Sequence, residues 1–266
     1  MQNMSALMAR MLRQAKANGI DISPMTPEEK AERERQTYQK CQAEVDRFKQ
    51  RVWRKASLWS GNQPLTFTFK QWDPSKQRNQ RLAAILGNKA VTLTNMMAKK
   101  DFNVVMVGKP GTGKTSLALA MAEKLVADTN CTFVVISTMA LSKLMHDRFN
   151  DYQHETDDRL DRLFEAAVKT KLLILDDFGT EAGMQQFDNS GRSHFKPVRK
   201  DVQDWLFDLS NARYDESNNC HRGSTVITTN YTSGELLQMY HPKIISRLWV
   251  KDRNYVLDFH GLEDVR

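Results

Sequence analysis

The 266-residue sequence contains few cysteines and no long apolar run. Its three cysteines, Cys41, Cys131 and Cys220, lie far apart and form no C-x-x-C pair, so we do not expect a zinc site built on thiolates. A sparse, odd number of cysteines suits the reducing cytoplasm, which is the location we predict. No segment approaches the roughly 18 apolar residues of a membrane span, and the N-terminus lacks the pattern of a secretion signal. We therefore predict no membrane partner.

Basic residues exceed acidic ones, which gives a formal net charge of +7. This charge is compatible with nucleic acid or another acidic partner, although ordinary surface lysines would give the same total. The first 75 residues carry 13 Lys and Arg against 8 Asp and Glu. With 40% hydrophobic residues, a chain of this length can form one mid-sized α/β domain with an appendage.

The N-terminal segment predicts a small helical arm. Apolar residues recur at three- and four-residue steps from Met4 to Ala15, and this pattern predicts a helix that packs internally or docks on a partner protein. A helix that lies on a membrane surface is a third and weaker alternative, because the apolar stripe lacks large aromatic residues. A second helix is predicted to begin at Thr26, a favourable N-cap followed by Pro27. We place the arm at residues 1–60 and a linker, which includes SGNQP, at residues 61–75.

From about residue 76 the pattern changes to short apolar runs separated by amphipathic helical segments. Continuous apolar strands that alternate with helices indicate a parallel sheet covered on both faces. We therefore predict an α/β domain with five parallel strands over residues 76–266. The five runs are FNVVMV (102–107), TFVVI (132–136), LLIL (172–175), STVIT (224–228) and YVLDF (255–259).

The first of these runs leads directly into GKPGTGKTS, which matches the phosphate-loop pattern G-x-x-x-x-G-K-[ST] between a strand and a helix. The glycines let the loop wrap closely, so that backbone N–H groups point at phosphate. Lys114 is predicted to contact the β- and γ-phosphates of ATP, and the Thr115 hydroxyl to ligate Mg²⁺. The predicted nucleotide-binding residues of this loop are Gly108, Pro110, Gly111, Thr112, Gly113, Lys114, Thr115 and Ser116.

The run LLIL delivers Asp176 and Asp177 to the C-terminal end of its strand, where parallel sheets bind ligands. Asp176 is the predicted partner of Mg²⁺, directly or through water, and Asp177 is predicted to polarise the attacking water. Two adjacent carboxylates could also cap a loop, but the preceding phosphate loop favours catalysis. Asn230 ends the run STVITTN and is predicted to contact the attacking water or the γ-phosphate, provided that its strand lies beside the phosphate-loop strand.

The stretch HPKIISRLWVKDR predicts a helix opened by Pro242, with Arg247 off the edge of its apolar arc. No acidic residue lies one turn before or after Arg247. We therefore predict that Arg247 is unpaired within its own chain. An exposed arginine that makes ordinary surface contacts is the alternative.

These motifs together resemble the AAA+ ATPases, and within them the DnaC/DnaI family of replicative-helicase loaders. The similarity covers about residues 65–266. The quoted stretches that carry the resemblance are LTFTFKQWDP, GKPGTGKTSLALAMA, LLILDDFGTEA, STVITTN, IISRLW and LDFHGLEDVR.

The resemblance implies that ATP-bound subunits assemble on a hexameric DnaB-type helicase, which the N-terminal arm grips, and load it onto single-stranded DNA. It also implies that Asn230 is a first sensor and that Arg247 is an arginine finger on the nucleotide of a neighbouring subunit. Arg266 would be the second sensor, with Arg253 as a fallback. The chain departs from the family in its Asp-Asp pair, since Asp-Glu is commoner, and we expect slow, switch-like hydrolysis.

Two segments are candidates for contacts with single-stranded DNA, because both combine basic groups with an aromatic side chain. One is the long connection at 183–200, which a plain solvated loop would also explain. The other is MALSKLMHDRFND, in the position where related ATPases place a DNA-facing helix. The candidate DNA-binding residues are Lys143, Arg148, Phe149, Arg192, Phe195, Lys196 and Arg199.

Three other functions remain possible on the sequence. An IstB-like transposition helper shares the same core and binds duplex DNA, and its partner is a transposase and not a helicase. A small-molecule phosphotransferase also uses a phosphate loop, but the SRL stretch and terminal arginine argue against it. A protein that binds nucleotide without hydrolysing it is disfavoured by the intact pair of Asp176 and Asp177.

Overall fold

The computed structural model describes residues 13–14, 17, 26–61, 63–148, 151, 154–183, 186–187 and 193–265. It divides into two compact units, Met1–Val45 and Asp46–Arg266, which are considered separately below. Most of the predicted first helix, at residues 4–15, lies outside the described residues. None of the helices in the described ranges is long and apolar enough to cross a bilayer.

Helix α1 (Pro27–Ala56) begins where the sequence predicts. The Thr26 hydroxyl accepts the Glu29 N–H at 3.2 Å, and the Glu29 carboxylate accepts the Thr26 N–H at 2.8 Å. This reciprocal capping satisfies two N–H groups that the first helical turn leaves without partners. Between residues 26 and 45 every side chain except that of Ala43 is exposed, so this part of the helix builds no core of its own.

The second unit contains the predicted five-stranded parallel sheet, and the prediction is confirmed. The strands are β1 (Asn103–Val107), β2 (Phe133–Ser137), β3 (Leu172–Asp176), β4 (Ser224–Thr229) and β5 (Val256–Asp258). Their order in the sheet is β2-β3-β4-β1-β5. Every residue of β1 to β4 is buried, which is why the sequence shows continuous apolar runs.

Helices cover both faces of this sheet. These helices are α2 (Gln80–Met97), α3 (Lys114–Thr129), α4 (Thr138–Asp147), α5 (Glu155–Lys169), α6 (Lys200–Ala212), α7 (Ser233–Met239) and α8 (Pro242–Leu248). Side chains alternate along each strand. In β2, Val134 and Ile136 belong to the core on the side of α4 to α8, whereas Phe133 and Val135 belong to the core on the side of α2 and α3.

The chain just after α1 extends the sheet at its β2 edge. The Leu58 N–H donates to the Val135 carbonyl at 2.8 Å, and the Ser137 N–H donates to the Leu58 carbonyl at 2.8 Å. The Leu58 side chain is buried. The predicted arm at residues 1–60 therefore includes a segment that pairs with β2, and a truncation that spares the sheet must end before Asp46.

Arg213, to which the sequence analysis assigned no role, is buried between α5 and β4. Its guanidinium donates to the carbonyls of Ala167 at 2.7 Å, Thr170 at 2.9 Å and Ser224 at 2.8 Å. The first two carbonyls belong to the end of α5, where helical C=O groups lack partners and a cation is favoured. Burial lowers the pKa of Arg213 to about 10, so the side chain stays charged at neutral pH.

Replacing Arg213 with alanine should destabilise the second unit by about 3 kcal/mol, because several buried carbonyls lose their donor and a cavity forms. Urea unfolding followed by tryptophan fluorescence measures the change. The control is Arg222→Ala, because the Arg222 side chain is 63% exposed in its ion pair with Asp215. Equal midpoints for the two variants would contradict the structural role of Arg213.

Candidate nucleotide-binding site

The phosphate loop connects β1 to α3 at the C-terminal end of the sheet. Gly113 is the N-cap of α3 and has a φ of 93°. Gly111 has a φ of 77°, and a Cβ there would lie 2.0 Å from Cγ of Asp264. Both positions require glycine, because other residues rarely adopt positive φ. The loop thereby presents its backbone and the N-terminus of α3 on the same side, the arrangement that suits phosphate binding.

Lys114 is folded into this loop and is only 5% exposed. Its ammonium group donates to the carbonyls of Gly108 and Lys109 at 2.7 Å each, and to Oδ1 of Asn230 at 2.9 Å. Asn230 reaches the loop because β4 pairs with β1 over the full length of β1. The strand of Asn230 therefore lies beside the phosphate-loop strand, as its predicted role requires.

Asp176, at the end of β3, is held by two hydroxyl groups. Thr115 at the start of α3 and Thr228 in β4 each donate to Oδ1 of Asp176 at 2.7 Å. Burial raises the pKa of Asp176, and the charge of Asp177 raises it further, whereas both hydroxyls act in the opposite direction. A buried carboxylate beside a hydroxyl provides the hard oxygen ligands that Mg²⁺ prefers, so Thr115 and Asp176 fit a magnesium ion.

No group of three or more His, Cys, Asp or Glu residues in the described ranges could hold a metal ion by itself. A magnesium ion at Thr115 and Asp176 would therefore need further ligands from water or from phosphate oxygens. This is the usual pattern for Mg²⁺ in phosphate-binding proteins, because the ion keeps several waters.

Asp177 turns the chain away from β3 in a left-handed conformation, with a φ of 54°. Its N–H donates to the Thr228 hydroxyl at 2.9 Å, and its carbonyl accepts the Thr180 N–H at 3.0 Å. Thr228 therefore holds Asp176 through its hydrogen and Asp177 through its oxygen. Thr228 belongs to the STVITTN run, but its two contacts depend on the pairing of β3 with β4 and cannot be predicted from the run itself.

The segment after β5 lies against the phosphate loop. The Val265 N–H donates to the Gly111 carbonyl at 3.2 Å, and the Gln77 side chain makes two hydrogen bonds of 2.9 Å to the backbone of Glu263. Arg266, the predicted second sensor, lies outside the described residues. The alternative prediction, that Arg253 is the second sensor, is wrong. Arg253 precedes β5 and so lies at the end of the sheet opposite the phosphate loop.

Trp72 also packs on the phosphate loop. This contact was not predicted from the sequence. A Cβ on Gly113 would lie 2.9 Å from a carbon of the Trp72 ring. The indole N–H donates to the Ala83 carbonyl at 3.0 Å, which fixes the ring against α2. Trp72 lies in the stretch LTFTFKQWDP, but nothing in the local sequence connects it to the phosphate loop, which begins at residue 108.

Arg247 is paired, contrary to the prediction. Its guanidinium forms an ion pair of 2.5 Å with Glu216 and lies 5.7 Å from the centre of the Phe207 ring. Glu216 is 31 residues earlier in the sequence, so it is not among the residues one helical turn before or after Arg247. The Arg247 side chain is 18% exposed.

The position of Arg247 excludes a contact with the phosphate loop of its own chain. Its carbonyl accepts the side-chain N–H of Asn103 at 2.9 Å, and Asn103 is the first residue of β1. The phosphate loop follows Val107 at the other end of this strand, about 13 Å away at the usual rise per residue.

Among the candidate DNA-binding residues, the prediction for Phe195 is wrong. Its side chain is 7% exposed and packs edge-to-face on Tyr231 with ring centres 5.3 Å apart, so it offers no free face for a base. It sits in the hydrophobic core because the end of the 183–200 connection turns inward before α6. Phe149 and Arg192 lie outside the described residues.

The remaining basic candidates lie on α4, at its C-terminal end or on the 183–200 connection. Lys143 and Lys196 are exposed, and Arg148 forms an ion pair of 2.5 Å with Asp157. Arg199 pairs with Asp201 and also donates to the Ser142 carbonyl on α4 at 3.3 Å. This contact joins the end of the 183–200 connection to α4, so the two segments that the sequence offered as alternatives adjoin one another.

The solved structures to which this chain is similar include DnaI, the DnaC helicase loader and DnaA. DnaI is 18% identical, with 75% of this chain and 90% of that chain covered and a TM-score of 0.49. The DnaC helicase loader is 18% identical, with 78% and 98% covered and a TM-score of 0.45. AMPPCP-bound DnaA from Aquifex aeolicus is 14% identical, with 73% and 50% covered and a TM-score of 0.49. The chain spans about half the length of the replication-initiator structures that it matches.

No match was found among curated protein sequences. A family model does match: that of the ATPase family associated with various cellular activities (AAA), over residues 104–249. The matched range begins in β1, ends just after α8, and contains the phosphate loop, the Asp176–Asp177 pair, Asn230 and Arg247. It covers more than half of the chain, which therefore belongs to this AAA family of ATPases.

Proposed function

We propose that this protein is an ATPase that loads a hexameric DnaB-type replicative helicase onto single-stranded DNA, with ATP binding and hydrolysis as the switch for assembly and release. The observation that carries the ATPase part is the meeting of Lys114, Thr115, Asp176 and Asn230 at the phosphate loop. The helicase part rests on the sequence motifs shared with the DnaC/DnaI loaders.

The phosphate loop and Lys114 would bind the phosphates of ATP. Loop carbonyls now accept the Lys114 hydrogens, and phosphate oxygens are stronger, charged acceptors for the same ammonium group. Thr115 and Asp176 would hold Mg²⁺. The ion neutralises phosphate charge while the terminal phosphoryl group of ATP is transferred to water. On the other side of the site, Asp177 would polarise the attacking water and Asn230 would orient it.

The glycine positions give a test of nucleotide binding. Gly111→Ala should weaken the affinity for a fluorescent ATP analogue at least about tenfold, because the new Cβ meets Asp264 and the left-handed backbone becomes strained. Gly183→Ala is the matched control, since Gly183 has a φ of 82° but nothing within 4 Å of the Cβ position. If the two variants bind the analogue equally well, the loop does not form the predicted site.

Arg247 would act on ATP bound by a neighbouring subunit, which implies self-association. Its distance from the loop of its own chain supports action in trans. The Glu216 side chain is 75% exposed, so the ion pair contributes on the order of 0–1 kcal/mol. Exchanging this carboxylate for a phosphate of the next subunit would therefore cost little.

Arg247→Ala should leave the affinity for ATP nearly unchanged and reduce the turnover of the assembled protein on the order of a thousandfold. ATP titration and steady-state hydrolysis over a range of protein concentrations separate the two effects. Glu216→Ala is the control, because it breaks the same ion pair but leaves the arginine free, and its turnover should match or exceed that of the wild type. A fast Arg247→Ala enzyme would exclude the finger.

The N-terminal arm would bind the helicase. In the first unit, Tyr38 and Val45 are 71% and 47% exposed and lie seven residues apart on α1, so they share one face of the helix. Exposed apolar side chains on an otherwise polar helix are suited to docking on a partner protein.

Removing residues 1–45 should abolish co-purification with the replicative helicase of the host while nucleotide binding persists, since Leu58 and the sheet remain. The experiment compares the full chain with the truncated chain, in ATP and in ADP. Recovery of a transposase in place of the helicase would favour the IstB-like alternative. A helicase complex that survives the truncation would contradict the role of the arm.

Single-stranded DNA would contact the basic surface formed by Lys143, Lys196 and Arg199. The support for this surface is the contact between Arg199 and α4, together with the exposure of both lysines. Binding of this kind follows the phosphate backbone, so its affinity should fall steeply with salt. Without Phe195, base stacking would have to come from another aromatic side chain.

A further inference from the structure

Glu181 is a titratable residue that the proposed mechanism leaves unused, although it lies four residues after Asp177. It belongs to a short 3₁₀ turn, Thr180–Ala182. Both of its carboxyl oxygens are hydrogen-bonded. Oε2 accepts the Gly179 N–H at 3.2 Å and lies 2.6 Å from the Thr138 hydroxyl, while Oε1 accepts the Tyr240 hydroxyl.

Thr138 connects this carboxyl group to Asp177. Its side chain is fully buried at the start of α4. Its hydroxyl oxygen lies 2.6 Å from Oε2 of Glu181 and 3.1 Å from the carbonyl oxygen of Asp177. A hydroxyl group has only one hydrogen to donate, so it can donate to one of these two oxygens at a time.

The protonation state of Glu181 decides between them. When Glu181 is ionised, Thr138 donates to the carboxylate, and the Asp177 carbonyl keeps only the Thr180 N–H. When Glu181 is protonated, its own hydrogen goes to the Thr138 oxygen, and the Thr138 hydrogen becomes available to Asp177. Every donor has an acceptor in both states, but only in the second state does the Asp177 carbonyl accept two hydrogen bonds.

The bond to Asp177 matters because of the conformation of that residue. Its φ of 54° is left-handed. This conformation is unfavourable for a residue other than glycine and persists only where neighbours hold it. Thr228 holds the N–H of the residue. The carbonyl is held by Thr180 and, in the protonated state, by Thr138.

We propose that Glu181 is a positioning residue which, through Thr138, fixes the Asp177 peptide in the orientation that hydrolysis requires. This inference rests on the proposed ATPase function and adds a residue outside the phosphate loop to it. Glu181 touches neither nucleotide nor water in this account. It acts through the backbone of Asp177.

The surroundings of Glu181 favour the protonated state. Burial raises its pKa, against the effect of the hydrogen bonds from Thr138 and Tyr240. The titratable groups that interact with it are Tyr240, which follows α7, and Tyr231, which follows β4. The first turn of α4 carries none. A rise in pH through the raised pKa of Glu181 should therefore ionise it, release Asp177 and lower kcat.

The test uses Thr138→Val, which removes the hydroxyl at nearly constant shape. In the full chain, steady-state ATP hydrolysis at a saturating protein concentration should show kcat reduced about tenfold, the equivalent of one hydrogen bond, with KM and nucleotide affinity unchanged. Thr138→Ser should restore kcat. The control is Thr170→Val, which removes another buried hydroxyl, bonded to Leu172 at 3.3 Å, at the other end of β3.

A second readout is the pH profile. Glu181→Gln cannot ionise, so the step in kcat that belongs to Glu181 should be present in the wild type and absent from the variant. The inference is overturned if Thr138→Val hydrolyses ATP like the wild type, or if Glu181→Gln keeps the wild-type pH profile. A wild-type protein that neither binds nor hydrolyses ATP would instead remove the proposed function, and the inference with it.

Discussion

One carboxylate oxygen joins the three elements on which the site depends. Oδ1 of Asp176, at the end of β3, accepts hydroxyl hydrogens from Thr115 on α3 and from Thr228 on β4. Burying a carboxylate is costly unless it is hydrogen-bonded, and the raised pKa of Asp176 shows that the two hydroxyls offset only part of this cost. A buried charge of this kind is typical of sites that bind a cation. The same threonine in β4 also holds the N–H of Asp177.

The strand order explains why these groups meet. Because β4 lies between β3 and β1, the ends of three adjacent parallel strands carry the Asp176–Asp177 pair, Asn230 and the phosphate loop to one edge of the sheet. Ligands bind at this edge in open parallel sheets. Arg247 lies at the opposite end, so the fold separates the groups that would bind nucleotide from the arginine that would act on the nucleotide of a neighbour.

Local patterns in the sequence predicted most of the fold. The continuous apolar runs became the five strands because both faces of the sheet are covered, and the Thr26–Pro27 pair marked the start of α1 because capping is a local interaction. The phosphate loop was also predicted, since its glycines and lysine lie within seven consecutive residues, 108–114. Contacts between residues that are distant in sequence could not be predicted. Glu216 pairs with Arg247, Phe195 enters the core and Arg213 caps α5, and each depends on neighbours that only the folded chain brings together.

The central claim, that Asp176 is the charged ligand of a magnesium–nucleotide site, is tested most directly by Asp176→Asn. Asparagine keeps one oxygen that can accept both hydroxyls, while the negative charge is lost and the second oxygen is replaced by an NH₂ group. Burial raises the pKa of Asp176, so its ionised form opposes folding at neutral pH, and the variant without nucleotide should melt no lower than the wild type. Titration of a fluorescent ATP analogue with and without Mg²⁺ should show tighter binding with Mg²⁺ in the wild type only. An equal gain from Mg²⁺ in the variant would contradict the claim.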